Sequence, residues 1–114
     1  MTLQEFYATV GGNYDEAVGR LMSEALVRRF VLKFLSDPSY AALEQAIAAG
    51  EREEAFRAAH TIKGLCLNLG FGKLLASAEE LTEALRSEMP ANAQELFARV
   101  SEDYALTVDA IGKL

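Results

Sequence analysis

Apolar residues recur along this chain every three to four positions, the spacing that gathers them on one face of an α-helix. No stretch alternates apolar and polar residues as a half-buried strand does, and no repeat of solenoid length is visible. Glycine, proline and asparagine interrupt the helical pattern and indicate where helices end. The predicted helices cover residues 2–10, 14–22, 23–36, 38–49, 51–69, 72–87 and 92–113.

Several helix ends carry capping signals. Ser23 is a favourable N-cap for the helix over 23–36, because a serine oxygen accepts hydrogen bonds from the amides of the first turn. Asn92 and Glu95 fit a capping box at the start of the last helix. Gly70 follows the 51–69 helix and readily adopts the left-handed conformation of a C-cap, so we expect that helix to end there.

Short connections join the long helices, apart from the 38–49 helix, which lies between the first two. The long helices are 23–36, 51–69, 72–87 and 92–113. Short connections favour antiparallel neighbours, so the sequence predicts an all-α fold, an antiparallel up-and-down four-helix bundle with short additional N-terminal helices. We expect a single domain, in which additions in residues 1–22 pack on a bundle formed by residues 23–114.

Composition narrows the classes of function. The net charge of −6 argues against a general nucleic-acid binder, because phosphate backbones favour basic surfaces. No apolar run approaches the roughly 18–20 residues that cross a bilayer, and the N-terminus lacks the order of a signal peptide, so no membrane association is expected. The single cysteine, Cys66, cannot form an internal disulfide. These features predict a cytoplasmic helical protein.

The 51–69 helix carries the only histidine of the chain. At about 100° per residue, its small and aliphatic residues fall within one arc, which we predict to face the core. This arc holds Ala55, Ala58, Ala59, Ile62, Leu65, Cys66 and Leu69. The opposite arc holds Glu53, Arg57, His60, Gly64, Leu67 and Asn68, with Phe56 and Lys63 at its shoulder. His60 is therefore predicted to point into solvent.

The residues one turn beyond His60 suit phosphoryl chemistry. A neutral imidazole nitrogen is a good nucleophile, and an exposed one can accept a phosphoryl group. Lys63, three residues on, supplies a cation for the phosphoryl oxygens. Gly64, four residues on, costs about 1 kcal/mol relative to alanine in a helix interior, but it leaves a gap for an incoming partner.

Two large apolar residues on the outer arc, Phe56 and Leu67, are unusual where a bundle normally carries charge. They are interpreted as a docking patch, and the alternative is that the N-terminal helix over 2–10 covers them. Cys66 lies on the core arc and is read as a buried small hydrophobe. One histidine and one buried cysteine cannot build a zinc site, so no metal site is predicted.

The run His60-Thr61-Ile62-Lys63-Gly64, followed by Leu69-Gly70, resembles the signature of histidine phosphotransfer (HPt) domains. The resemblance extends to Ala55-Phe56-Arg57-Ala58-Ala59 before the motif and to Leu81-Thr82-Glu83-Ala84-Leu85 on the next helix. The helical layout that is similar to these domains covers about residues 23–114.

The resemblance implies a four-helix bundle whose exposed histidine takes a phosphoryl group from a receiver aspartate and passes it on. His60 would be the phosphoacceptor, Lys63 the phosphate-neutralising residue and Gly64 the steric gap. The docking residues would be Phe56, Arg57, Leu67 and Asn68. Partners would be response-regulator receivers and a hybrid histidine kinase. No cofactor is implied, because the Mg²⁺ belongs to the receiver, and no kinase activity is expected.

Many members of this family use a glutamine on the following helix to orient the histidine ring. The matching position here is Thr82, and Glu79 and Glu83 are the other candidates. We expect a stand-alone, monomeric phosphorelay protein. The alternatives are a non-catalytic module that binds receivers and, ranked last, a hydrolase that uses His60 as a base.

Overall fold

The computed structural model describes residues 1–114, and every regular element in it is helical. Its helices are α1 (Leu3–Val10), α2 (Tyr14–Leu21), α3 (Glu24–Lys33), α4 (Ser39–Ala49), α5 (Arg52–Leu69), α6 (Gly72–Ala84) and α7 (Ala93–Gly112). A 3₁₀ turn, Phe34–Ser36, follows α3. The predicted all-α class is confirmed. None of the helices combines the length and apolar character needed to cross a bilayer.

The structure confirms the cap predicted at the start of α3 but not the one predicted at the start of α7. The Ser23 side chain accepts a hydrogen bond from the Leu26 amide at 3.2 Å, which confirms Ser23 as the N-cap of α3. The capping box predicted for Asn92 and Glu95 is wrong, since the Asn92 side chain makes no capping bond. The Asn92 backbone, at φ −99° and ψ 26°, lies outside the extended region from which a cap reaches the helix amides.

Helices α4 to α7 form the bundle, in which consecutive helices make the most extensive contacts and α4 also meets α7. The prediction that the 23–36 helix opens the bundle is therefore wrong, because α4 takes that place. Only Val27 and Val31 of α3 are buried, whereas Phe30 is 40 % exposed and Leu35, in the 3₁₀ turn, is 46 % exposed. The boundary between residues 1–22 and 23–114 stays a prediction.

A series of aromatic contacts ties the N-terminal elements to one end of the bundle. Phe6 and Phe34 each pack edge-on against Phe71, with ring centroids 5.7 Å and 5.1 Å apart. Phe34 also contacts Tyr104, which stacks on Tyr40 at 3.9 Å. Such pairs stabilise a core beyond the area that they bury. The series therefore connects α1, α7 and α4 through the connection before α6.

Two glycines let the N-terminal loop lie directly against the connection between α5 and α6. A Cβ atom at Gly12 would overlap the carbonyl oxygen of Gly70, and one at Gly72 would overlap that of Gly11. No side chain fits between these backbones, so the close approach requires glycine at both positions. This contact brings residues 1–22 to the C-terminal end of the histidine-bearing helix α5.

Side chains from α1 and α2 bond the last carbonyl groups of α5, which have no partner within their own helix. The buried Tyr7 hydroxyl donates to the Leu69 carbonyl at 2.7 Å. Arg20 donates to the Leu67 and Asn68 carbonyls at 2.8 Å and 3.0 Å. The end of α5 is thus fixed by residues far away in the sequence.

Candidate functional site

Helix α5 separates a buried face from an exposed one. Every residue of the predicted core arc is buried except Leu65, which is partly buried. His60 is exposed on the opposite face, as are Arg57, Gly64 and Asn68. The predicted orientation of His60 is confirmed, and its imidazole is accessible to a partner from solvent.

Lys63 and Gly64 leave the next turn open. Lys63 is partly exposed and takes part in no salt bridge, so its ammonium group is available to an incoming anion. A Cβ atom built at Gly64 meets nothing within 4 Å. Tight helix packing therefore does not account for this glycine, and the space over Gly64, one turn beyond His60, is empty of side chains.

Phe56 is packed between His60 and a side chain that the sequence did not point to. The Phe56 and His60 rings lie 5.9 Å apart at an angle of 31°. The Arg86 guanidinium lies over the Phe56 ring, 5.3 Å from its centroid. Phe56 is partly buried and lies one turn before His60 on α5, with its ring tilted relative to the imidazole.

The N-terminal helix does not cover the two apolar residues on the outer face. Leu67 is 59 % exposed, and α1 packs against α6 and α7 instead. The alternative that the helix over 2–10 covers Phe56 and Leu67 is therefore wrong. The other two candidates for docking are also accessible: Arg57 pairs only with the exposed Glu54, at 3.1 Å, and Asn68 is exposed.

None of the three candidates bonds the His60 ring. Thr82 is fully buried, and its hydroxyl donates to the Ala78 carbonyl at 2.6 Å, so the prediction for Thr82 is wrong. The position matches the family pattern, but the short side chain turns back onto its own helix. Glu79 is exposed and forms no hydrogen bond. Glu83 accepts hydrogen bonds from Arg86 at 3.1 Å and 2.7 Å.

Glu83 interacts with the charged groups around His60. The hydrogen bond from Arg86 lowers the pKa of Glu83, and electrostatic interactions with Arg86, Lys63 and His60 lower it further. The same pairing raises the pKa of Arg86. Glu83 is therefore an ionised carboxylate that lies within electrostatic reach of all three groups.

Arg86 is the functional candidate that the sequence reasoning missed. It lies in the same shallow pocket as His60, together with Arg52 and Arg57. Arg52 donates to the Leu85 and Arg86 carbonyls at 2.9 Å and 3.0 Å, which fixes the end of α6 against the start of α5. The only signal was its position three residues after Glu83, which places both on one face of a helix.

Cys66 behaves as the sequence predicts. It is fully buried, and burial raises the pKa of its thiol to about 12. The thiol is thus protonated at neutral pH and takes no part in the surface around His60. No group of three histidine, cysteine, aspartate or glutamate side chains is arranged to hold a metal ion.

Comparison with known proteins gives one match. Residues 36–111 match the family model described as Hpt domain, which covers more than half of the chain. The matched segment includes α4 to α6 and all but the last residue of α7, and with them His60, Lys63 and Gly64. No curated protein and no solved structure matches the chain significantly.

Proposed function

The chain belongs to the Hpt domain family, and on that premise we propose that it is a stand-alone phosphorelay protein. The family places it among the phosphotransfer domains of two-component signalling. The finer proposal is that His60 accepts a phosphoryl group from one receiver aspartate and donates it to another. One observation carries it: an exposed His60 lies beside an unpaired Lys63 and the open space at Gly64.

The proposed step is an in-line displacement at phosphorus. The lone pair of His60 Nε2, the nitrogen that faces solvent in this family, attacks the phosphorus of the aspartyl phosphate. The N–P bond forms while the acyl P–O bond breaks, and the carboxylate leaves with the bonding electrons. The imidazole then releases its Nδ1 proton to water. Reversal of these events on a second receiver completes the relay.

Lys63 is proposed to hold the phosphoryl oxygens during this step. Its ammonium group has no carboxylate partner to displace, so it can meet the incoming group without first breaking a salt bridge. The receiver is proposed to carry the Mg²⁺, and this chain to need no cofactor of its own.

The receiver is proposed to dock over the outer face of α5, on Phe56, Arg57, Leu67 and Asn68. Leu67 supports this assignment most strongly, because a large apolar side chain that is 59 % exposed gains from being covered. The other partner is proposed to be a hybrid histidine kinase. We further propose that the protein acts as a monomer in the cytoplasm.

Transfer from a phosphorylated receiver tests the proposal directly. Incubation with a ³²P-labelled receiver is expected to give an acid-labile, alkali-stable label on the chain. His60→Gln is expected to abolish that label while the circular dichroism spectrum stays helical. Label that persists in the folded His60→Gln protein would refute the assignment. Receiver binding without label from any donor would instead favour a non-catalytic receiver-binding module.

A further inference from the structure

The Glu83 carboxylate accepts hydrogen bonds from Arg86, which lines the same pocket as His60, so its charge would oppose a phosphoryl group on His60. These hydrogen bonds lower the pKa of Glu83, which is therefore ionised at neutral pH. Phosphorylation would place a charge of about −1.5 to −2 beside this carboxylate. The Glu83 carboxylate and the phosphoryl group must therefore compete for the nearby positive charges.

Arg86 is the cation for which the two anions would compete. Its guanidinium lies over one face of Phe56, and the His60 ring contacts the same phenyl ring. Arg86 and His60 also line one pocket. Arg52 donates to the Arg86 carbonyl at 3.0 Å, which holds the backbone and leaves the side chain as the part of Arg86 that can turn toward His60.

The present partner of Arg86 is easily given up. The Arg86–Glu83 pair spans 2.7 Å, but the two side chains are 56 % and 53 % exposed. Exposed pairs of this kind contribute little to stability. A phosphoryl dianion offers a guanidinium two oxygens in the same planar arrangement as a carboxylate, with more charge.

We propose that Arg86 exchanges Glu83 for the phosphoryl group on His60, and that this exchange sets how long phospho-His60 persists. The inference rests on the proposed function. Hydrolysis passes through a loose, metaphosphate-like transition state, in which the charge is spread over three oxygens in one plane. A guanidinium placed to bond two oxygens of the tetrahedral phosphoryl group fits phospho-His60 better than this planar arrangement, so it stabilises phospho-His60 more than the transition state and slows its hydrolysis.

The chain contains a closely matched control. Arg99 and Glu80 also pair at 2.7 Å with side chains 56 % and 53 % exposed, but they join α7 to α6 away from the His60 pocket. Arg99→Gln thus removes the same charge and an ion pair of the same length, together with a 3.9 Å contact to Glu95, without touching the site. A shorter lifetime that came only from the loss of a surface ion pair should be common to Arg86→Gln and Arg99→Gln.

Phosphoramidate gives the experiment a donor that needs no receiver, because it phosphorylates imidazole nitrogen directly. Loss of phospho-His60 is then followed by ³¹P NMR in the full chain. Arg86→Gln is expected to shorten its lifetime roughly three- to tenfold. Arg86→Lys should restore part of the lifetime, and Arg99→Gln should leave it unchanged. Glu83→Gln should lengthen it, since Arg86 then has no competing carboxylate.

The Arg86 Nε–H resonance reports the exchange itself. It is expected to shift when His60 is phosphorylated in the wild-type chain and to stay in place in phosphoramidate-treated His60→Gln. An unmoved resonance in phosphorylated wild type, or equal lifetimes in Arg86→Gln and Arg99→Gln, would overturn the proposal. Because no receiver is present, a failure of the relay proposal would be seen separately, in the receiver assay.

Discussion

Replacing Gly64 by alanine is expected to stabilise the fold while it slows phosphoryl transfer. Gly64 lies in the interior of α5, where glycine costs about 0.5–1 kcal/mol relative to alanine. A methyl group there would meet no other atom within 4 Å, so nothing in the protein offsets the gain in helix propensity. The expected gain is therefore close to the full value.

The Gly64 variants are expected to change stability and transfer rate in opposite directions and by different amounts. A gain of about 1 kcal/mol raises the Tm of a domain of this size by roughly 3–5 °C. Gly64→Gln should stabilise nearly as much, because glutamine and alanine differ little in helix propensity. Its longer side chain fills the space beside His60, and a displacement of about 1 Å in the reacting atoms can cost roughly a hundredfold in rate. Gly64→Ala should slow transfer by less.

Gly19 provides the control. It is exposed in α2, and a Cβ atom there also meets nothing within 4 Å. Gly19→Ala should therefore stabilise the fold without slowing transfer. Thermal unfolding followed by circular dichroism measures the first effect, and single-turnover transfer from a phosphorylated receiver measures the second. Transfer at the wild-type rate by Gly64→Gln would refute the steric argument. A lower Tm for Gly64→Ala would refute the claim that a methyl group at this position meets no other atom.

Three further outcomes are expected. Lys63→Ala should slow transfer about tenfold or more with an unchanged helical spectrum, since Lys63 forms no salt bridge in the fold. Tyr7→Phe should lower the free energy of unfolding in urea by about 1–2 kcal/mol, because the buried Leu69 carbonyl loses its donor. Burial raises the pKa of Cys66 from 9.0 to about 12, so its thiol contributes stability that is fully present below pH 9.0 and is lost as the pH rises towards 12. Urea unfolding between these pH values should show a smaller loss in Cys66→Ala than in wild type.

The sequence was sufficient wherever the controlling physics is local. The two faces of α5 follow from its helical period, and Gly70 ends the helix with φ 80°, a conformation that glycine adopts easily. The exposure of His60 could be predicted from its helical position alone, opposite the apolar residues of α5. These features depend on residues within a few turns of one another, so periodicity alone predicts them.

Contacts between segments far apart in the sequence could not be predicted from the sequence pattern. Apolar residues recur every three to four positions over 23–36, as they do in a core helix, yet α4 takes the place in the bundle and Phe30 and Leu35 remain exposed. Counting positions led to Thr82 but could not reveal that its side chain is buried. Arg86 reaches Phe56 across a helix interface, which no pattern within one helix records.

The histidine-bearing helix is held at both ends by arginines that lie away from its centre. Arg20 bonds the carbonyls of its last turn, and Arg52, in its first turn, bonds the end of α6. The segment that matches the family model lacks Arg20 and Tyr7, so alone it would leave the Leu67, Asn68 and Leu69 carbonyls to solvent. The N-terminal helices thus complete the support of α5. Sites built on rigid helices are positioned more precisely than sites on loops, so a supported α5 can hold the His60 nucleophile in place with only a few exposed side chains around it.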